Sequence, residues 1–211
     1  GSLYWSLNDV WPAVSWSTVD WAGRWKLGHY AARRANAPRA VLWQRERADS
    51  LAFIAFNDGP SPWRDTIQFE LKTPDGQVRR RVQRAIDVAP HGSTALVLGT
   101  MTDWAADSAH TYLRWASDAG RQTALWVEPV AYRPPGGALQ LRGVEGGIEI
   151  TSTVHVPVVR LEADVPGWFE DNGFALEAGE TRRVSFQTEL ESPSGFTARS
   201  LHAVAACQAV N

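Results

Sequence analysis

The hydrophobic rhythm of the chain changes sharply near residue 37. Residues 3–7, Leu3-Tyr4-Trp5-Ser6-Leu7, are almost continuously apolar, the pattern of a strand covered on both faces as in a parallel sheet. Asn8-Asp9 closes this run, and a loop containing Pro12 follows. From about Gly23 the period lengthens. Trp21, Trp25, Gly28, Ala32 and Ala35 fall at steps of four, three, four and three, which predicts one stripe of a helix with both indoles in its core face. Arg33 and Arg34 suit the negative end of the helix dipole, and Asn36-Ala37-Pro38 supplies the stop. Residues 1–37 therefore read as strand, long loop and helix, one βα unit. Such a unit cannot stand alone: the strand needs parallel neighbours, the helix needs a sheet, and nothing later repeats the pattern.

After Pro38 the texture becomes short strands punctuated by turns such as Asn57-Asp58-Gly59-Pro60 and Pro74-Asp75-Gly76. Strands are predicted over 40–44, 51–57, 66–72, 78–86, 94–98, 112–115 and 123–128, the spacing of a β-sandwich. Arg133-Pro134-Pro135-Gly136-Gly137 reads as a linker. Beyond it, 147–152, 158–162, 182–188 and 197–206 are enough for a second, smaller sandwich. The expected organisation is thus mainly β: a βα unit at 1–37, a sandwich at 38–134 and another at 135–211.

Composition narrows the function classes. Hydrophobic residues make up 44% of the 211 positions and charged residues 21%, with no apolar run of 18 residues, so neither membrane insertion nor a membrane partner is expected. A formal charge of −2 lacks the basic footprint of a nucleic-acid binder. The run Arg79-Arg80-Arg81 with Arg84 alternates along a predicted strand and reads as a solvated face. Cys207 is the single cysteine, so no intrachain disulfide forms and no cysteine-rich metal site is expected. His29 has no second histidine at ligand spacing, and Asp171 and Asn172 lack the acidic cluster of a calcium loop; a turn-fixing role suits them better. No cofactor is expected. No signal peptide is visible, which leaves a secreted, periplasmic or cytoplasmic location open.

The opening run WSLNDVWPAVSWSTVDWAGRWKLGHYAARR carries five of the chain's eleven tryptophans. Its pattern, WxLNDxWP followed by SWSxxDxxGRWKxxHYxARR, resembles the last βα unit of the (β/α)8 catalytic barrel in family 2 glycoside hydrolases, and within them the β-mannosidase branch. A second stretch, DNGFALEAGE followed by RVSF at 183–186, is similar to the DNxFxLxPGExxxVxF signature of the last immunoglobulin-like domain of the same enzymes, with Ala178 where proline is usual. The resemblance implies two immunoglobulin-like sandwiches behind a piece of barrel. It also implies a retaining exo-acting enzyme on terminal β-mannosides, with the rest of the barrel as partner.

Retaining glycosidases need two carboxyl groups about 5 to 5.5 Å apart. The family draws both from glutamates on earlier strands, and residues 1–37 contain no glutamate, their only acids being Asp9 and Asp20. No catalytic residue is therefore expected in this chain. Trp5, by resemblance, matches the tryptophan that floors the subsite for the cleaved sugar, commonly with a cis peptide bond to the next residue. Asn8 and Asp9 follow where a side chain reaches the pocket, and Trp11 and Trp16 are candidates for its rim. Arg24 and Lys26 read as solvated. Among the later tryptophans, Trp63 in Gly59-Pro60-Ser61-Pro62-Trp63 is the candidate for an exposed sugar-binding indole; Trp43, Trp104, Trp115, Trp126 and Trp168 read mostly as core. Competing readings are a free-standing carbohydrate-binding module, a purely structural sandwich pair, or a β-glucuronidase, β-galactosidase or exo-β-glucosaminidase relative.

Overall fold

A computed structural model describes residues 4–44, 49–105, 107–136, 139–189, 192–201 and 203–210. Leu3, Gly137 and His202, each within an element or linker expected from sequence, lie outside the described residues. Helix α1 (Leu27–Ala35) comes first. Strands β1 (Arg39–Gln44), β2 (Ser50–Asn57), β3 (Trp63–Lys72), β4 (Val78–Val88) and β5 (Gly92–Thr100) follow, then the short helix α2 (Met101–Trp104) with β6 (Tyr112–Ser117) and β7 (Gly120–Leu125). The last stretch holds β8 (Leu139–Val144), β9 (Gly147–Ser152), β10 (Val156–Ala163), β11 (Trp168–Phe169), β12 (Phe174–Leu176), β13 (Thr181–Gln187), β14 (Gly195–Arg199) and β15 (Val204–Gln208). The molecule is mainly β, its strands are paired antiparallel, and no described helix is long and apolar enough to cross a membrane. Two compact units form, residues 37–135 and residues 1–36 together with 136–211.

In the unit of residues 37–135, sheet β1-β2-β5 faces sheet β4-β3-β6-β7. Alternation drives this packing, because every second side chain of β2 and β3 points inward. Phe53 of β2 meets Phe69 of β3 at 4.7 Å and Trp115 of β6 at 5.3 Å between ring centroids. The arginine run on β4 is exposed as expected, yet it is not idle: Arg81 Nε donates to the buried Glu70 at 2.8 Å, joined by Arg114 at 3.1 Å. Trp63 corrects its sequence reading. It opens β3 with its side chain turned inward, 1% exposed, and donates Nε1–H to Asp118 at 2.7 Å, so it presents no face to a sugar.

The other unit sets sheet β12-β10-β14-β15 against β11-β13-β9-β8, with Phe196 of β14 packed on Phe169 and Phe186 of the facing sheet. The single strand expected over 197–206 is a hairpin instead. Arg199 pairs with Val204, and the Ser200 N–H reaches Ala203 O at 2.8 Å across the turn. The helix also starts later than its period suggested. Asp20 accepts the N–H groups of Ala22 and Arg24, both at 2.9 Å, forming a turn with Gly23 at φ +79° that keeps Trp21 off the helix and exposed. The buried position of α1 is Tyr30, and Gly28 and Ala35 stay exposed. Residues 4–7 do not form the doubly covered strand. Tyr4, Trp5 and Leu7 are exposed, and only an isolated parallel bridge, Asn8 with Val19, hints at strand pairing. A strand needs neighbouring strands, and among the described residues only Thr18 and Val19 bond alongside this stretch, too short a partner to make one.

Gly147 in β9 lies so close to β13 that a Cβ would stand 2.2 Å from the Val184 carbonyl oxygen. Gly147→Ala is expected to destabilise this sandwich by about 2 kcal/mol or more, read as a lower urea midpoint.

Candidate functional site

Residues 4–26 fold around polar groups while leaving four of their five indoles, Trp5, Trp11, Trp16 and Trp21, exposed. Thr18 is the centre of this arrangement. Its backbone N–H reaches the carbonyl oxygens of Ser6 at 3.2 Å and Leu7 at 3.1 Å, and its hydroxyl donates to Leu7 O at 3.1 Å. A hydroxyl has one proton to donate, so the 3.1 Å contact between Thr18 Oγ1 and His29 Nδ1 is made by the ring N–H. Val19 N–H adds a bond to Leu7 O at 2.8 Å, and Asp9 N–H returns one to Val19 O at 3.0 Å. The backbone just after Trp5 is therefore fastened from several directions. The Trp5–Ser6 peptide bond is cis, and the Trp5 side chain is 81% exposed.

Asp9 lies below this surface. It is buried, accepts from the Ser15 hydroxyl on Oδ1 and from Lys26 Nζ on Oδ2 at 2.8 Å, while Lys26 also donates to Ser17 Oγ at 2.8 Å. The Lys26 ammonium, followed by the Ser15 hydroxyl, holds the Asp9 carboxyl down from the ordinary 3.8 to about 2. Asn8 Nδ2 donates to Asp9 O at 3.1 Å. Lys26 is thus no solvated bystander but the counter-ion of the loop. Its sequence signal was weak because 17 residues separate the partners. Arg24 remains largely exposed, paired with Asp20 at 2.6 Å.

Five residues flagged by sequence occupy two different environments. Trp5, Trp11 and Trp16 are exposed indoles, while Asp9 is internal and Asn8 caps its backbone. Tyr4, Leu7, Val10, Val14 and Trp21 add further exposed apolar surface to the same segment. Soluble proteins seldom leave so much apolar area uncovered unless something binds there. A groove of about 900 Å³ in the same unit runs between Trp25, Tyr30 and the β10–β14 region, but none of the five residues lines it. Among the described residues no cluster of three or more metal-ligating side chains occurs.

The two sequence signatures meet in space. Arg34 of α1 donates to Asp171 at 2.7 Å, to Asn172 O at 3.0 Å and to Gly173 O at 2.9 Å, and Arg182 closes on the other Asp171 oxygen at 2.6 Å. Asn172 bolts the turn to β10 by a reciprocal pair with Leu161, 2.8 Å and 2.9 Å. Gly173 takes φ +64°, and a Cβ there would press Leu27 at 3.3 Å. Asp, Asn and Gly are each required for a separate reason, and Asp171 and Asn172 fix a turn, as their sequence predicted.

Residues 136–204 match the family model of an Ig-fold domain, Ig_mannosidase. The β-mannosidase of Capra hircus is 44% identical over 61 residues, 29% of this chain and 7% of its own length. β-Mannosidase A of Aspergillus niger is 27% identical over 233 aligned positions, 95% of this chain and 24% of its own length. Among solved structures, β-D-mannosidase from Dictyoglomus thermophilum superposes with a TM-score of 0.75 at 18% identity, covering 94% of this chain and 26% of that one. An exo-chitosanase from Amycolatopsis orientalis gives 0.63 at 16%, covering 98% and 30%. The chain spans at most about a quarter of the length of these curated relatives.

The lowered Asp9 pKa predicts a pH response. A depressed carboxyl contributes its stabilisation in full above 3.8 and loses it as pH falls through about 2. Lys26→Met should move the Asp9 titration up toward the ordinary value, followed by carboxyl NMR.

Proposed function

We propose that this chain, which resembles the C-terminal portion of family 2 β-mannosidases, supplies the sugar platform of a retaining exo-β-mannosidase. The observation that carries the reading is the combination at Trp5: an open indole whose following backbone is fastened by Thr18 and Val19. Pyranoses present apolar C–H faces, and an aromatic plane held still offers large contact area at little entropic cost. On this reading Asn8 offers a hydroxyl contact, Asp9 supports the loop from within, and Trp11 and Trp16 form the rim. The similarity to β-mannosidases supports mannose as the sugar.

Hydrolysis itself requires an acid/base and a nucleophilic carboxylate on either side of the glycosidic bond. On this reading both come from barrel strands that pack against residues 4–21, covering the apolar surface not given to the substrate. The chain by itself is then inert, and its sandwiches act as a scaffold. A free-standing binding module would also use exposed indoles, but it does not explain why the segment that carries them resembles the last βα unit of a glycosidase barrel, so we favour the enzyme.

In an enzyme carrying this chain, Trp5→Ala is expected to lower kcat/KM for β-mannosides by about 10- to 100-fold. The 211 residues alone should release no p-nitrophenol from p-nitrophenyl β-mannoside. An unchanged kcat/KM in the variant, or turnover by the isolated chain, contradicts the proposal.

A further inference from the structure

We infer that Asp171, in the C-terminal sandwich, is a positioning residue for Trp5; the inference rests on reading Trp5 as the sugar platform. The two lie far apart in sequence, and the connection is made of contacts already described. Asp171 takes Arg34 at 2.7 Å and Arg182 at 2.6 Å, with Arg33 at 3.4 Å. Arg182 is itself held over the Phe174 ring at 4.0 Å. These bonds hold the C-terminal end of α1, and Tyr30, 1% exposed, holds its middle by donating to Phe169 O at 3.1 Å.

The same helix carries His29 on the Thr18 hydroxyl at 3.1 Å, and Trp25 lies against both His29 and Tyr30, at 4.5 Å and 5.4 Å. Lys26, which precedes the helix, donates its N–H to Thr18 O at 2.9 Å and its ammonium to Asp9. Thr18 in turn holds Ser6 and Leu7. Loosening α1 from the sandwich therefore loosens Thr18, and with it the backbone that aims Trp5. A nine-residue helix is too short to keep its own position, so the anchor at its far end decides where its near end sits. The sandwich thereby has a part in the proposed site that a detached scaffold would not have.

Amide hydrogen exchange on Asp171→Asn tests this, with Arg34→Gln as a second variant that keeps Asp171 and the Asn172–Leu161 bonds of the turn should the first fail to fold. The expected result is exchange about tenfold faster at Asp9, Thr18 and Val19, with the β9 amides of Ile148 and Ile150 unchanged. Arg142→Gln, a surface pair with Glu149, serves as the control and should alter neither group. Unchanged loop rates in a folded variant, or loop and β9 rates rising together, overturn the inference. In the active enzyme KM for β-mannosides should rise about threefold in these variants; a lower kcat at constant KM overturns it too. The exchange measurement needs no substrate, so it stands or falls separately from the Trp5→Ala assay, whose failure would remove the sugar platform and leave the coupling.

Discussion

The Asp171 carboxylate and the arginines gathered on it are what helix α1 and the opening segment depend on. Helix α1 is nine residues long, and isolated helices of that length are marginal in water. Among the described residues no strand lies beneath it as a barrel sheet would. What it has is Arg34 on Asp171, Tyr30 on the Phe169 carbonyl, and Leu27 set against Gly173. A largely buried carboxylate left without its guanidinium partners is costly, because the lost hydration is no longer compensated. The cluster is also directional: Arg34 forks across the Asp171 carboxylate and the two following carbonyls, which fixes orientation as well as distance.

From that anchor the opening segment inverts the usual arrangement of polar and apolar groups. Asp9, Ser17 and Thr18 are buried, while Trp5, Trp11, Trp16 and Trp21 are exposed. Internal hydrogen bonds, not a hydrophobic core, give the loop its shape, and this frees the indoles to face outward. On the proposed reading those indoles meet sugar and barrel. The inversion explains why a stretch so rich in tryptophan makes little core of its own.

Much of the fold was legible because β2 is a continuous apolar run, β3 alternates through Ile67, Phe69 and Leu71, and the turns at Asn57–Asp58 and Pro74–Asp75 are unambiguous. The resemblance of both ends to family 2 β-mannosidases was legible from rare residue types in fixed order, and the similar relatives and structures agree with it. Three features were hidden for physical reasons. Trp63 follows two prolines in a turn-rich segment, and nothing local reveals that its strand begins there and turns it inward. The stripe from Trp21 to Ala35 has helical period, but Asp20 captures the backbone N–H groups at its start and delays the helix. Lys26 looked solvated because its partner Asp9 is reached only once the loop has closed. The predicted strand at residues 3–7 showed its apolar content correctly; pairing, which makes a strand, is a property of neighbours.

The most direct measurement is a crystal structure of a protein that carries this chain, with a mannose-configured ligand bound. The account predicts a sugar C–H face stacked on the Trp5 indole, with Thr18 still bonded to Ser6 and Leu7. A ligand bound elsewhere, with the Trp5 face packed against protein, contradicts it.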